Sequence, residues 1–446
     1  MAHTPTIRHG GGSARTMHPT ARLTLAAALC VLALPANSGW VHHSQLFAHD
    51  DDAGVGFQFG RSVAISGDTI VVGASFADTT AENDGSADVF TRPGGIWSQQ
   101  DHLLADEAAE NDLFGSSVAV DGDTLVVGAQ HATLFTAGRA ASAYVFTRTG
   151  STWSQQDHLF SDVVELGQSR MGVSVAIDGD TFVMGVPDDD TAAGMLTGSV
   201  YVFTRTGGTW GRQDLLFADD ARRDDEFGYS VAISGDTIVV GARHDDYGAE
   251  IDAGSAYVFT RTGSTWSQQA HLFGGPGANA GDEFGYSAAI SGDTIVVGAV
   301  PDSTVAANFV GSANVFTRTG GTWSRQARLF ADDPAQWDRF GNSVAISGDT
   351  IVVGAVTDSA VPGIWAGSAY VFTRTGSTWS QQDLLFDDDA GAGDRFGHSV
   401  AISGDTIVVG AYGDDTVRGE DAGSAHVFWP AFFRIVVVEP ELPSGH

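Results

Sequence analysis

Apolar and polar positions follow one another in short runs along most of this chain, punctuated by glycine and small polar residues. The stretch FGYSVAISGDTIVVGARHDDYGAEIDAGSAYVFTRTGSTWSQQAHLF, Phe227 to Phe273, holds four such runs. The first, Gly228–Ser234, alternates: small Ser230, Ala232 and Ser234 fall on one side and apolar residues on the other, as in a strand with two unlike faces. The second, Thr237–Ala242, is continuously apolar and suits a strand buried on both faces. The third is Ser255–Arg261. The fourth, Trp266–Phe273, is polar in its middle, as an edge strand should be. We term the four strands A to D. Ser-Gly-Asp-Thr joins A to B, and its Gly-Asp centre supplies the positive φ of a two-residue hairpin turn. A short Arg-Thr-Gly-Ser-Thr turn joins C to D. Beyond residue 35 no segment keeps helical apolar spacing for more than a turn or two.

The unit recurs. Its Phe-Gly pair stands at Phe59, Phe114, Phe227, Phe284, Phe340 and Phe396, with Met171-Gly172 in the third copy, at intervals of 55 to 57 residues. So regular a period marks a repeat architecture. One twisted four-stranded sheet cannot bury its own faces, whereas seven packed face to face around an axis bury them in each other. The prediction is an all-β fold: a seven-bladed β-propeller of four-stranded antiparallel blades over residues 39–429, with the small side chains of strand A innermost. A linear β-solenoid competes, but the units are long for its coils. The seventh unit runs from Phe396 to Phe428 and lacks a Trp-led strand D. The segment Trp40–Phe47 has the spacing of that strand, and Trp40 lies 19 residues before a Phe-Gly pair, against 17 or 18 in the other copies. The N-terminal strand is therefore expected to complete blade 7 and close the ring. Within the C-terminal tail, residues 430–446, Arg434–Val438 is strand-like and competes for the same slot.

Residues 1–38 differ from the rest. Three arginines (Arg8, Arg15, Arg22) precede the apolar run Leu23–Ala36, and small residues follow at Ala36 and Ser38. This reads as a secretory signal peptide cut near Ser38–Gly39. The competing reading is a membrane anchor, but the run is shorter than the roughly 20 residues a spanning helix needs. The single cysteine, Cys30, would leave with the leader, so neither disulfide nor thiol chemistry is expected. The formal net charge is −33, and no lysine is present. Such a field repels nucleic acid and anionic membranes and favours cations and solubility. No basic stripe for nucleic acid is visible. A monomer without membrane insertion is expected, secreted or at the cell surface, with a periplasmic location as a variant.

Phe-Gly opening each unit and Val-Gly-Ala closing its second strand resemble the FG-GAP repeats of integrin α-subunit propellers and related secreted bacterial proteins. The resemblance covers all seven units, Gly39 to Phe428. It implies a propeller and leaves the ligand open. The third position of the Gly-Ala-Pro triplet departs from the family's pattern, being Ser75, Gln130, Arg243, Val356 or Tyr412, with Pro187 and Pro301 near that place. In the family, several repeats carry an Asp-rich calcium loop between strands A and B. A two-residue turn is too short to bring six to eight oxygens around calcium. Those sites do not transfer, and Asp68 and Asp236 read as turn residues.

The strand order places the A–B and C–D turns on one face and the B–C loops and D–A connections on the other. The first face is nearly identical in every unit; the second holds almost all the variation, as in SFADTTAEND, QHATLFTAGRA, RHDDYGAEIDA and VTDSAVPGIWA. Diverse loops on a rigid scaffold suit a binding surface. Aromatic residues in those loops are candidates for recognising a protein or glycan: Phe309, Trp337, Trp365, Tyr247 and Tyr412. They either project or fold down to seal the loop bases. Acids gather around blades 7 and 1 (Asp387, Asp388, Asp389, Asp414, Asp415, Asp50–Asp52) and on blade 4 (Asp224, Asp225, Asp245, Asp246, Asp252). Asp245, Asp246, Asp252, Asp414 and Asp415 are candidate calcium ligands, with solvated charge as the competing reading. No other cofactor is expected. Catalytic motifs are missing: the repeated Gly-Tyr-Ser-Val-Ala lacks the closing glycine of a nucleophile elbow, so its serines read as structural. The expected role is a non-enzymatic binding or adhesion module. The alternatives are an extracellular hydrolase or lyase using carboxylates near the central channel, or a structural part of a larger surface assembly.

Overall fold

The continuously apolar strand B sets the architecture, because it must be covered on both faces. In blade 4 it is Thr237–Ala242, buried along its whole length between strand A (Phe227–Ser234) and strand C (Ser255–Thr262), with strand D (Thr265–Leu272) outside. All seven sheets have the order A-B-C-D and are antiparallel. This computed structural model describes residues 39–49, 56–134, 138–161, 174–275, 278–302, 309–359 and 364–431. Residues 1–38, read as a signal peptide, Asp50–Asp52, the irregular Val163–Met171 and the strand-like Arg434–Val438 lie outside the described residues.

The core lies between blades rather than within them. One cluster joins Val183, Val200 and Val202 of blade 3 to Val231, Ile238 and Val240 of blade 4. The last seam is built alike: Leu46, Val408 and Val427 of blade 7 pack on Phe59, Ile70 and Val72 of blade 1. Sequence motifs serve these seams. Ser230 Oγ donates to the Gly285 carbonyl of the next blade at 2.8 Å, and Ser399 repeats this toward Gly60 across the closing seam. A side chain on Gly241 would run into the same Gly285 carbonyl, and Gly285 itself has φ +99°. The glycines of Phe-Gly and Val-Gly-Ala are thus the two halves of one close backbone approach. On the opposite face, Arg261 reaches Thr181 Oγ1 of the preceding blade at 3.0 Å, lies over the Trp266 ring and pairs with Asp236 at 2.7 Å. Asp236 is therefore more than a turn residue.

Strand D of blade 7 is the N-terminal segment Trp40–Leu46, which pairs antiparallel with strand C, Ser424–Pro430. Trp40 faces Pro430, Leu46 faces Ala425, and the register slips between His42 and Ser44, as it does at the same place in blade 4. Some boundaries differ from expectation. In blade 4, strand A starts one residue earlier and strand D stops at Leu272. In blade 1 a 3-10 turn, Pro93–Gly95, replaces the tight C–D turn, because proline and two glycines stand there. In blade 2 the B–C segment, read as a loop, is largely hairpin. Strands Thr124–Leu134 and Gly138–Thr149 stay paired as far as Leu134 and Gly138, because no glycine or proline breaks the chain between Gln130 and Leu134.

Candidate functional site

Among the described residues, the B–C loop of every blade but the second is pinned to the D–A connection that enters the next blade. Phe340 N–H donates to Val310 O at 2.9 Å and Trp337 N–H to Phe309 O at 3.2 Å; Phe396 and Gly393 repeat the pattern on Ala366 and Ile364. Left-handed backbone positions recur along the pinned segments; the one directly before the Phe of Phe-Gly holds Gln58, Leu113, Glu226, Glu283, Arg339 and Arg395, and two more shape the loop surface. One, three residues before strand C, is filled by Asn83, Leu196, Asp252, Phe309, Trp365 and Asp421, with φ from 51° to 64°. The other, three residues before the Phe of Phe-Gly, is filled by Gly56, Asn111, Asp224, Gly281, Trp337 and Gly393, with φ from 62° to 96°. Glycine, asparagine and aspartate tolerate this conformation, and large side chains do so at a cost. Blades 5 and 6 place aromatic rings there instead.

Those rings project. Trp337 is 52% exposed and stacks on Phe309, with centroids 4.4 Å apart and planes 9° from parallel. The pair walls a hollow of about 420 Å³ shared with Pro301, Tyr286, Arg243 and Arg339. Trp365 is 50% exposed, and the Arg395 guanidinium lies 4.8 Å from its ring centre. It walls a second hollow of about 480 Å³ with Ile364, Tyr412, Gln58 and Asp421. Four of the five aromatic candidates thus divide between two hollows. Phe309 and Trp337 form one, Trp365 and Tyr412 the other. Tyr247 lines neither and stacks on Phe273 at 4.3 Å.

A further group escaped the sequence reading. The residue after each Phe-Gly varies while its neighbours repeat: Arg61, Ser116, Tyr229, Tyr286, Asn342 and His398 among the described residues. These begin the innermost strands on the loop face. Arg243 lies 3.9 Å from the Tyr229 ring centre and donates to Glu226 at 2.7 Å; His244 sits 3.3 Å from the same carboxylate. Burial alone would raise the Glu226 carboxyl, but hydrogen bonds from His244 and Arg243 outweigh it and hold it at about 2. The same bond raises His244. Burial lowers His398, helped by Arg61 and Arg395. The signal was available as the most variable position inside a closely repeated strand A.

The acidic candidates separate in a similar way. Asp246 Oδ1 accepts the Asp252 N–H at 3.0 Å and Asp415 Oδ1 the Asp421 N–H at 2.9 Å, so Asp246 and Asp415 brace their own loops. Asp245 is buried and accepts the Tyr257 hydroxyl at 2.7 Å, with His271 Nε2 at 3.4 Å. Burial would raise its carboxyl, yet the bonds from His271, Ser255 and Tyr257 lower it. Asp358 takes the Tyr370 hydroxyl in blade 6, and Asp302 takes Arg328 in blade 5. In blade 7 the equivalent acid, Asp414, comes together with Asp387 and His426: one potential ligand atom from each lies within 4.8 Å of the others. All three are buried. His426 stands where Tyr201, Tyr257 and Tyr370 stand in other blades, and Asp387 where Ala218 and Ala331 stand.

A family model described as the FG-GAP repeat matches the chain seven times, at residues 40–90, 97–146, 153–203, 210–259, 266–316, 323–372 and 379–428. Each match starts at or beside a strand D and ends in strand C, so the first spans the closing segment. No curated protein matches the chain.

Proposed function

Because the chain belongs to the FG-GAP repeat family, whose repeats are typical of extracellular proteins, we propose that it is a secreted or cell-surface binding module. It recognises a protein or glycan, as a monomer, through the variable loop face. The observation that supports this is the placing of Phe309, Trp337 and Trp365. Each occupies a left-handed backbone position where other blades carry mostly Gly, Asn or Asp, and both tryptophans stay half exposed. A bulky residue there raises the energy of the fold, by roughly 1–2 kcal/mol for each such residue. The contrast is sharpest at Trp337, whose described counterparts are Gly56, Asn111, Asp224, Gly281 and Gly393. Flat exposed rings beside Arg339 and Arg395 suit a sugar face or an aromatic-rich protein patch.

The test begins with the full chain on a glycan and protein array. For the strongest ligand, the double variant Trp337→Ala with Trp365→Ala should lose affinity by a hundredfold or more and keep the wild-type circular dichroism spectrum. Undiminished binding by the double variant would remove this face from consideration.

A further inference from the structure

Blade 7 breaks the repeat at two positions that touch each other. In blade 4 the buried acid Asp245 meets a tyrosine hydroxyl, and the neighbouring residue of the D–A connection is the buried Ala218. In blade 7 the tyrosine has become His426 and the alanine has become Asp387. The change adds a buried carboxylate and replaces a hydroxyl by an imidazole. His426 is 0% exposed and Asp387 3%. His426 Nε2 lies 3.2 Å from Asp387 Oδ2 and 2.8 Å from Ser424 Oγ. Asp387 Oδ2 is buried yet receives no hydrogen bond. Two buried carboxylates thus share one imidazole, which offers at most one positive charge. Buried charge left uncompensated is strongly unfavourable.

We propose that Asp387, Asp414 and His426 form a binding site for a divalent cation of the zinc–manganese class, set in the seam where the N-terminal strand closes blade 7. The donor set argues for the class. An imidazole nitrogen with carboxylate oxygens suits zinc, manganese and their neighbours, whereas calcium takes oxygen alone. The spacing argues for it too. Bonds of about 2.1 Å at tetrahedral angles put ligand atoms about 3.4 Å apart, close to the distance between Nε2 and Oδ2. The surroundings orient the ligands from the N-terminal strand. His426 Nδ1 faces His42 Nε2 at 3.3 Å, and with the proton on Nδ1 the Nε2 lone pair points at the carboxylates. His42 Nδ1 in turn lies 3.6 Å from Asp388. Gln45 Nε2 donates to Asp414 Oδ2 at 3.1 Å. Outer partners of this kind fix the tautomer and aim the ligands. Both His42 and Gln45 belong to Trp40–Leu46, so the cation would tie the two ends of the ring together.

The experiment is calorimetric titration of the chelator-treated full chain, purified without a histidine tag, with zinc, manganese, calcium and magnesium chlorides. Thermal melting is followed alongside. One saturable equivalent of zinc or manganese is expected, with a rise in Tm of several degrees. The double variant Asp387→Ala, His426→Tyr restores the residues of blades 4 and 6, and Asp389 and Asp414 stand ready for the new hydroxyl. It should lose that equivalent, with affinity reduced by a hundredfold or more. His426→Gln, a smaller change, should do the same if the double variant does not fold. His42→Asn should weaken binding by about 10- to 100-fold, as loss of an outer partner does. Absence of a saturable equivalent in the wild type overturns the site. So does equal binding by the histidine variants, or saturation by calcium alone.

Discussion

At the residue scale, the loop face trades backbone comfort for exposed aromatic surface. Trp365 has φ +61°, and its ring meets Arg395 while half of it remains in solvent. An exposed cation–π contact is worth roughly 0.5–1 kcal/mol. Relieving a left-handed conformation returns about as much or more. Trp365→Asn, which installs the kind of residue found at Asn83, should therefore leave Tm unchanged or raise it by a degree or two, while ligand binding falls. Melting curves of the variant and wild type decide it. A drop of several degrees would mean that the ring supports the fold and was not placed for recognition. The same substitution logic explains why these residues were visible in sequence as candidates. They are aromatic residues in loops whose counterparts, Leu196 aside, are small or polar. Their division into two hollows was not visible, because the grouping follows loop pinning across blades rather than sequence distance.

At the element scale, the D–A connection carries a repeated buried acid. Asp225 accepts the Arg222 N–H at 2.5 Å, and Asp338 and Asp394 make the same bond three residues back. Burial raises the Asp225 carboxyl to about 7, with Asp245 and Asp220 adding to the rise. Burial raises Asp338 and Asp394 to about 6. The unfolded chain releases these protons near 3.8, so between about pH 4 and 7 the folded protein binds more protons than the unfolded one. Their contribution to stability is then full below pH 4 and is lost as pH rises through 6 to 7. Asp225→Asn mimics the protonated form. It should raise stability at pH 8 by on the order of 1–2 kcal/mol and change little at pH 4.5. An equal effect at both pH values would contradict the assignment. The strands and tight turns of this element were legible because one pattern is written seven times. The blade 2 hairpin was not, since Gln-His-Ala-Thr-Leu lacks clean alternation. The blade 7 cluster was legible in part: Asp387 and Asp414 were grouped as acids of one region, whereas His42 and His426 stand out only when each is set against its counterparts.

At the scale of the whole molecule, the ring closes through a strand taken from the other end of the described chain. Trp40–Leu46 covers the open edge of Ser424–Pro430, buries Leu46 in the blade 7–blade 1 seam and donates the Trp40 N–H to Asp383 of blade 6. That last bond repeats those of Trp153 and Trp266 to the aspartates of their preceding blades, so the N-terminal segment takes the place of an internal strand D in both the ladder and the contact with the blade before it. Its removal strips a ladder of backbone bonds from one blade and exposes apolar surface in a seam that has no redundancy, because a ring has no spare neighbour. Deleting Gly39–Phe47 should lower Tm by about 10 °C or more, given a few degrees per kcal/mol lost in a chain of this size. The deleted variant should also expose an unpaired edge that recruits a matching strand. A synthetic peptide of Gly39–Phe47 added in excess should restore part of the lost Tm, and a scrambled peptide should not. Melting that is unchanged by the deletion would mean that the seam holds without its fourth strand. Rescue by the scrambled peptide would mean that the register of Trp40 on Pro430 contributes no specificity.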